Sequence, residues 1–68
     1  MRQKVYEPTP YEIAVEEFHA AAKELNRARN NFNNASPEYF DIANEELSIA
    51  MMKLDVCEKK VKVLSKNL

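Results

Sequence analysis

Glu16 and His19 stand three residues apart in the stretch EEFH, a spacing that places both on one face of a helix. Helical di-iron proteins hold metal with this Glu-x-x-His pair, but they aim it into a bundle core and complete it with carboxylates from other helices. Here the surrounding pattern aims it outward. Tyr11, Phe18 and Leu25 mark the inward face of the same helix, and Glu16 and His19 lie opposite them. The expectation is a solvated histidine flanked by Glu16 and Lys23, with no metal site.

Cys57 is the single cysteine, so no intrachain disulfide can form. One thiol fits a reducing compartment. Thiol chemistry needs exposure and an electropositive setting or a nearby base. The single histidine belongs to the outer face of the other helix, and Cys57 falls on an apolar seam, where it reads as a small buried hydrophobe. No serine, histidine and acid come together with supporting geometry, and a glycine-rich phosphate loop is excluded because the chain contains no glycine. The reading is therefore a non-enzymatic protein with no catalytic, cofactor-binding or metal-binding residues. Met51 and Met52 read as gap-fillers at an interface rather than as sulfur ligands.

The remaining chemistry is charge. Lys59, Lys60, Lys62 and Lys66 form a basic end, with Lys53 upstream. Nucleic-acid binding through such a patch calls for stacking aromatics. No aromatic follows Phe40, and Asp55 and Glu58 interrupt the run. The lysines are better read as complements to a helix dipole, cross-pairing with Glu12, Glu16 and Glu17. A nucleic-acid-associated role through Lys59, Lys60, Lys62 and Lys66 is the alternative.

At 68 residues the chain is one domain, near the size at which a helical core needs a staple or an assembly. Ten basic and eleven acidic residues leave a net charge of −1, which gives no bulk attraction to nucleic acid or anionic lipid. The start MRQKVYEPTP lacks the apolar run of a signal peptide. No apolar stretch approaches the roughly 20 residues that span a bilayer. The expectation is a soluble, cytoplasmic protein with no membrane or small-molecule partner.

Two helices must position all of these groups. Residues 1–9 read as irregular. In TPYE, Thr9 can cap a helix with Pro10 at its first position, and Glu12 can reach back to close a capping box. In SPEY, Ser36 is the second cap, Pro37 the first helical residue and Glu38 a charge at the positive end. Between them lies NNFNN. Asn33 or Asn34 can end the first helix in the left-handed conformation that glycine would otherwise supply. Pro37 disfavours helical geometry at Ser36 and separates the two elements. The boundaries are then 10–34 and 37–67, about 37 and 46 Å long at 1.5 Å per residue. So short a connection makes the helices antiparallel neighbours. The second helix should overhang, with Val5 and Tyr6 folding back over Leu64 and Leu68.

The apolar period agrees. Tyr11, Phe18, Leu25 and Phe32 recur every seventh residue, each followed three positions later by Ala14, Ala21, Ala28 or Ala35. The second helix repeats Phe40, Ala43, Leu47, Ala50, Leu54, Cys57, Val61, Leu64 and Leu68. This 3,4 alternation is a heptad seam, and its alanines allow close backbone approach, with large residues on one helix expected beside small ones on the other. Each helix also starts acidic and ends basic, so an antiparallel pair sets opposite charges side by side. The fold class is all-α, an antiparallel two-helix hairpin of coiled-coil character.

A second stripe is left over. Ile42, Ile49, Val56 and Val63 repeat every seven residues about 130° around the second helix from its seam. Met52 lies beside this stripe and Tyr39 borders it. One partner helix cannot bury both faces. The reading expects Ile42, Ile49, Met52, Val56 and Val63 to form a protein interface, first of all a homodimer of hairpins making a four-helix bundle. A different protein partner, or a stripe left half-exposed, are the other readings. A small protein-interaction or adaptor module follows from this.

Residues 30–54, NNFNNASPEYFDIANEELSIAMMKL, resemble the core of the YaaL-like family of small helical Firmicutes proteins. The family's aromatic, Pro-acidic turn, Asp-x-Ala and Leu-x-x-Ala pattern matches Phe32, Pro37, Glu38, Asp41, Ala43, Leu47 and Ala50, over about a third of the chain. Its tyrosine-rich tail has no counterpart, since Leu54 and Val61 stand in those regions. The resemblance implies a short helical protein and no particular activity. Small phage-encoded or mobile-element proteins of low-GC bacteria are similar in their asparagine and lysine content.

Overall fold

The computed structural model describes residues 7–66. Helix α1 runs Pro10–Asn33, a 3-10 turn follows at Pro37–Tyr39, and helix α2 runs Phe40–Ser65. The helices pack side by side as an antiparallel hairpin. The expected fold-back of Val5 and Tyr6 over Leu64 and Leu68 lies outside the described residues.

α1 begins as its sequence dictates. The Glu12 N–H donates to Thr9 Oγ1 at 3.2 Å, and the Thr9 N–H donates to Glu12 Oε1 at 2.9 Å. Two of the amides that a helix start leaves unpaired are thereby satisfied reciprocally, with Pro10 removing a third. Thr9→Ala should cost about 1 kcal/mol. In a domain this small that lowers the melting temperature by roughly 4–8 °C. Circular dichroism melts check it. Glu12→Ala added to Thr9→Ala should cost little more, because the two bonds act as one unit.

The turn differs from the sequence expectation at two points. No described residue has positive φ, so neither Asn33 nor Asn34 closes α1 in the left-handed region. Asn34 instead sits at φ −107°, ψ 7°, and uses its side chain. Its Nδ2 donates to the Asn30 carbonyl at 2.9 Å, the same carbonyl that accepts its backbone N–H at 3.1 Å. The amide thus supplies, from a side chain, the closure that a left-handed backbone gives elsewhere. Ser36 has the extended geometry of a cap but makes no side-chain cap bond. Its carbonyl accepts the Tyr39 N–H at 2.9 Å, so the chain enters α2 through a tight 3-10 turn and the α-helical ladder begins at Phe40 instead of Pro37.

Packing is concentrated on alanine. Ala14, Ala21, Ala28, Ala43 and Ala50 are the buried apolar residues, and no larger described side chain is fully buried. Small residues stand level with small ones: Ala28 with Ala50, Ala35 with Ala43, and Ala21 with Cys57 line shared stretches of the inter-helix groove. At these three levels small faces small instead of the expected large beside small, whereas at the open end Ala14 shares its stretch of groove with Leu64, as expected. Matched small residues let the backbones close to the short end of the ~8–10 Å helix separation. The bulky members of the seam (Tyr11, Phe18, Leu25, Phe32, Leu47, Leu54, Val61 and Leu64) are only half-buried as a result. Phe40, placed in the seam by its period, is 49% exposed. It opens α2 at the hairpin's edge, where it is covered on one side by Phe32, with ring centroids 5.0 Å apart. The Cα atoms span 12 Å in the thin direction, one layer of helices.

Candidate functional site

A single layer of two helices has two broad faces, and one of them carries a groove. Its floor is the alanine line. Its α2 wall is the second stripe: Ile42, Ile49, Val56 and Val63 are 51–59% exposed. Met52, at 67%, stands beside Ile49 and Val56. Tyr39, at 60%, closes the turn end next to Ile42. The structure thus brings Ile42, Ile49, Met52, Val56 and Val63 together on one face, whereas Met51, expected beside Met52 as an interface gap-filler, is not among them.

The α1 wall was not legible as part of that face. Pro10 and Ile13 lie across the groove from Val56 and Val63, and Ala20 lies across from Ile49 and Met52. Ile13 is 44% exposed. The signal existed in the seven-residue spacing of Ile13 and Ala20, but two residues are too few to stand out as a stripe. Toward the turn this wall becomes polar, through Glu24, Arg27 and Asn31 facing Glu46 and Lys53. The groove is therefore apolar at its open end and polar near the turn. Met51 is also exposed, yet it belongs to the other side of α2.

Charges line the rim. Lys60 Nζ reaches Glu17 Oε1 at 3.6 Å and ties the open ends of the two helices together. Lys59 and Lys62 instead take carboxylates from their own helix, Asp55 at 3.0 Å and Glu58 at 3.4 Å. The broad cross-pairing expected with Glu12, Glu16 and Glu17 is thus narrowed to Glu17 for these three lysines. Lys59 and Lys62 each have an acidic neighbour four residues earlier on their own helix. All of these pairs are half-exposed or more and worth ~0–1 kcal/mol each. Lys66 is exposed at the end of α2.

The other chemical candidates are dispersed. Glu16 and His19 are exposed, and the His19 and Phe18 rings meet in a T-shaped arrangement with centroids 6.1 Å apart and planes at 65°. Among the described residues no three His, Cys, Asp or Glu side chains gather into a possible metal site. Cys57 is half-buried rather than fully enclosed, because it borders the groove beside Ala21. No described helix is long and apolar enough to cross a membrane.

No protein family, curated protein or solved structure matches this chain.

Proposed function

We propose that the chain is a small self-associating, non-enzymatic interaction module whose working surface is the grooved face, and that its first partner is a second copy of itself. The observation that carries this is the exposed Ile42–Ile49–Val56–Val63 stripe on a hairpin whose own buried core is five alanines. Full burial of such a side chain is worth about 1.5–3 kcal/mol, and with these residues 51–59% exposed roughly half of that is still to be gained at each position. Two hairpins stacked on their grooved faces enclose both stripes and make a four-helix bundle, the arrangement in which paired helices reach core-like burial. A role as an adaptor then belongs to the surfaces that the bundle leaves outward.

Light-scattering mass on a sizing column tests it. The expected mass is twice the 7.9 kDa of the chain. Because only the associated form gains the buried stripe, the melting temperature should rise with protein concentration. A 7.9 kDa species whose melting temperature is unchanged over a hundredfold dilution would sink the proposal.

A further inference from the structure

The geometry points to the orientation of that second copy: it lies with its α2 antiparallel to the first α2, about a two-fold axis passing between Met52 and Lys53. This rests on the self-association proposed above and adds to it a register.

The stripe is symmetric about that point. Ile42, Ile49, Val56 and Val63 share one spacing, so reversing the helix about the midpoint lays Ile42 on Val63 of the other copy and Ile49 on Val56 of the other copy. Charges decide which way round the copies sit. At about 100° per residue Glu45 and Lys59 fall on one side of the stripe and Glu46 and Lys60 on the other, the side toward α1; Glu46, Lys59 and Lys60 all border the groove. In the antiparallel arrangement Glu45 meets Lys59 of the other copy, and Glu46 meets Lys60 of the other copy. Met52 meets its own symmetry mate at the axis. With the two α2 helices parallel, the glutamates would meet glutamates and the lysines would meet lysines. Pairing of this kind sets orientation and register between helices more than it sets affinity. Lys60 keeps Glu17 of its own chain within 3.6 Å, so that corner holds two carboxylates around one ammonium. Lys53 would approach its symmetry mate, and each has Glu24 of its own chain along the same stretch of groove.

Site-directed disulfides read the register directly. In a Cys57→Ala background, chains carrying Ile42→Cys and chains carrying Val63→Cys are mixed in equal amounts in a glutathione redox buffer. Disulfide-linked species are then identified by mass. A disulfide needs Cα atoms within about 7 Å. In the antiparallel register residue 42 is about 31 Å along the axis from its own mate, since 21 residues rise 1.5 Å each. The mixed Ile42→Cys/Val63→Cys dimer should dominate both homodimers. Predominance of the 42–42 homodimer would overturn the antiparallel orientation. Cross-linking no greater than that of a Met51→Cys control, in a protein that light scattering shows to be a dimer, would overturn the register while leaving self-association intact. A monomeric mass for the Cys57→Ala parent and the wild type alike would overturn both.

Discussion

Ala50→Leu should sharply destabilise the hairpin. Ala50 is 3% exposed and stands level with Ala28, itself 8% exposed. Between them there is no room for three more carbon atoms unless the helices part. Overpacking of a closed core costs about 1–3 kcal/mol, and a rigid helix cannot yield at one level without loosening the alanine levels on either side. The expected fall in melting temperature is on the order of 10 °C, taking 4–8 °C per kcal/mol for a domain of this size. Ser48→Leu is the control. It adds a similar apolar side chain at an exposed position two residues away and should change stability by less than about 0.5 kcal/mol. Thermal melts of both variants decide the matter. Equal effects would mean that the close alanine line is not what holds the helices together.

The hairpin itself was open to reading because each of its determinants is local. Thr9, Pro10 and Glu12 specify a helix start within four residues. Pro37 forbids a continuous helix across the middle. Seven-residue repeats of aromatic or aliphatic residues with alanine mark the faces that meet. The closure at Asn34 differs from the expectation because asparagine has two ways to end a helix. Its backbone can turn left-handed or its side chain can close onto a carbonyl, and both are satisfied by the same residue type. Ser36 was misread for a related reason: a serine before proline fits a side-chain cap and a 3-10 entry equally well. Level-by-level packing was beyond sequence as well. Seam periodicity says which residues face the partner helix, while the axial offset of the two helices depends on turn geometry, and that offset decides whether alanine meets alanine or leucine. The second stripe was legible on α2, where four β-branched residues repeat. Its α1 counterpart was not, since Ile13 and Ala20 acquire meaning only once α1 is seen lining the groove opposite Val56 and Ile49.

Val56→Glu should separate the copies without harming the individual helix. Val56 is 51% exposed in the hairpin, so a glutamate there can reach water. Glutamate also has the higher helix propensity, because valine loses rotamer freedom against the preceding turn. A lone hairpin should therefore tolerate the change. In the proposed dimer the same side chain would be enclosed, and two-fold symmetry would introduce it twice. Because Val56 is already about half covered in the hairpin, each copy loses roughly half of the ~1.5–3 kcal/mol of full burial and must in addition desolvate a carboxylate opposite Ile49 of the other copy. At 1.4 kcal/mol per tenfold, the burial loss from two sites alone weakens association by at least about tenfold, and the buried carboxylates add to it. Met51→Glu supplies the comparison, since Met51 is 54% exposed but lies on the far side of α2. Sedimentation or light scattering across a dilution series should give a monomer for Val56→Glu at concentrations where the wild type and Met51→Glu remain dimers. The concentration dependence of the melting temperature should vanish in Val56→Glu alone. If Val56→Glu keeps the wild-type mass, the stripe is not where the copies meet. If Met51→Glu dissociates as readily, the effect is one of added charge on α2 and not of the grooved face.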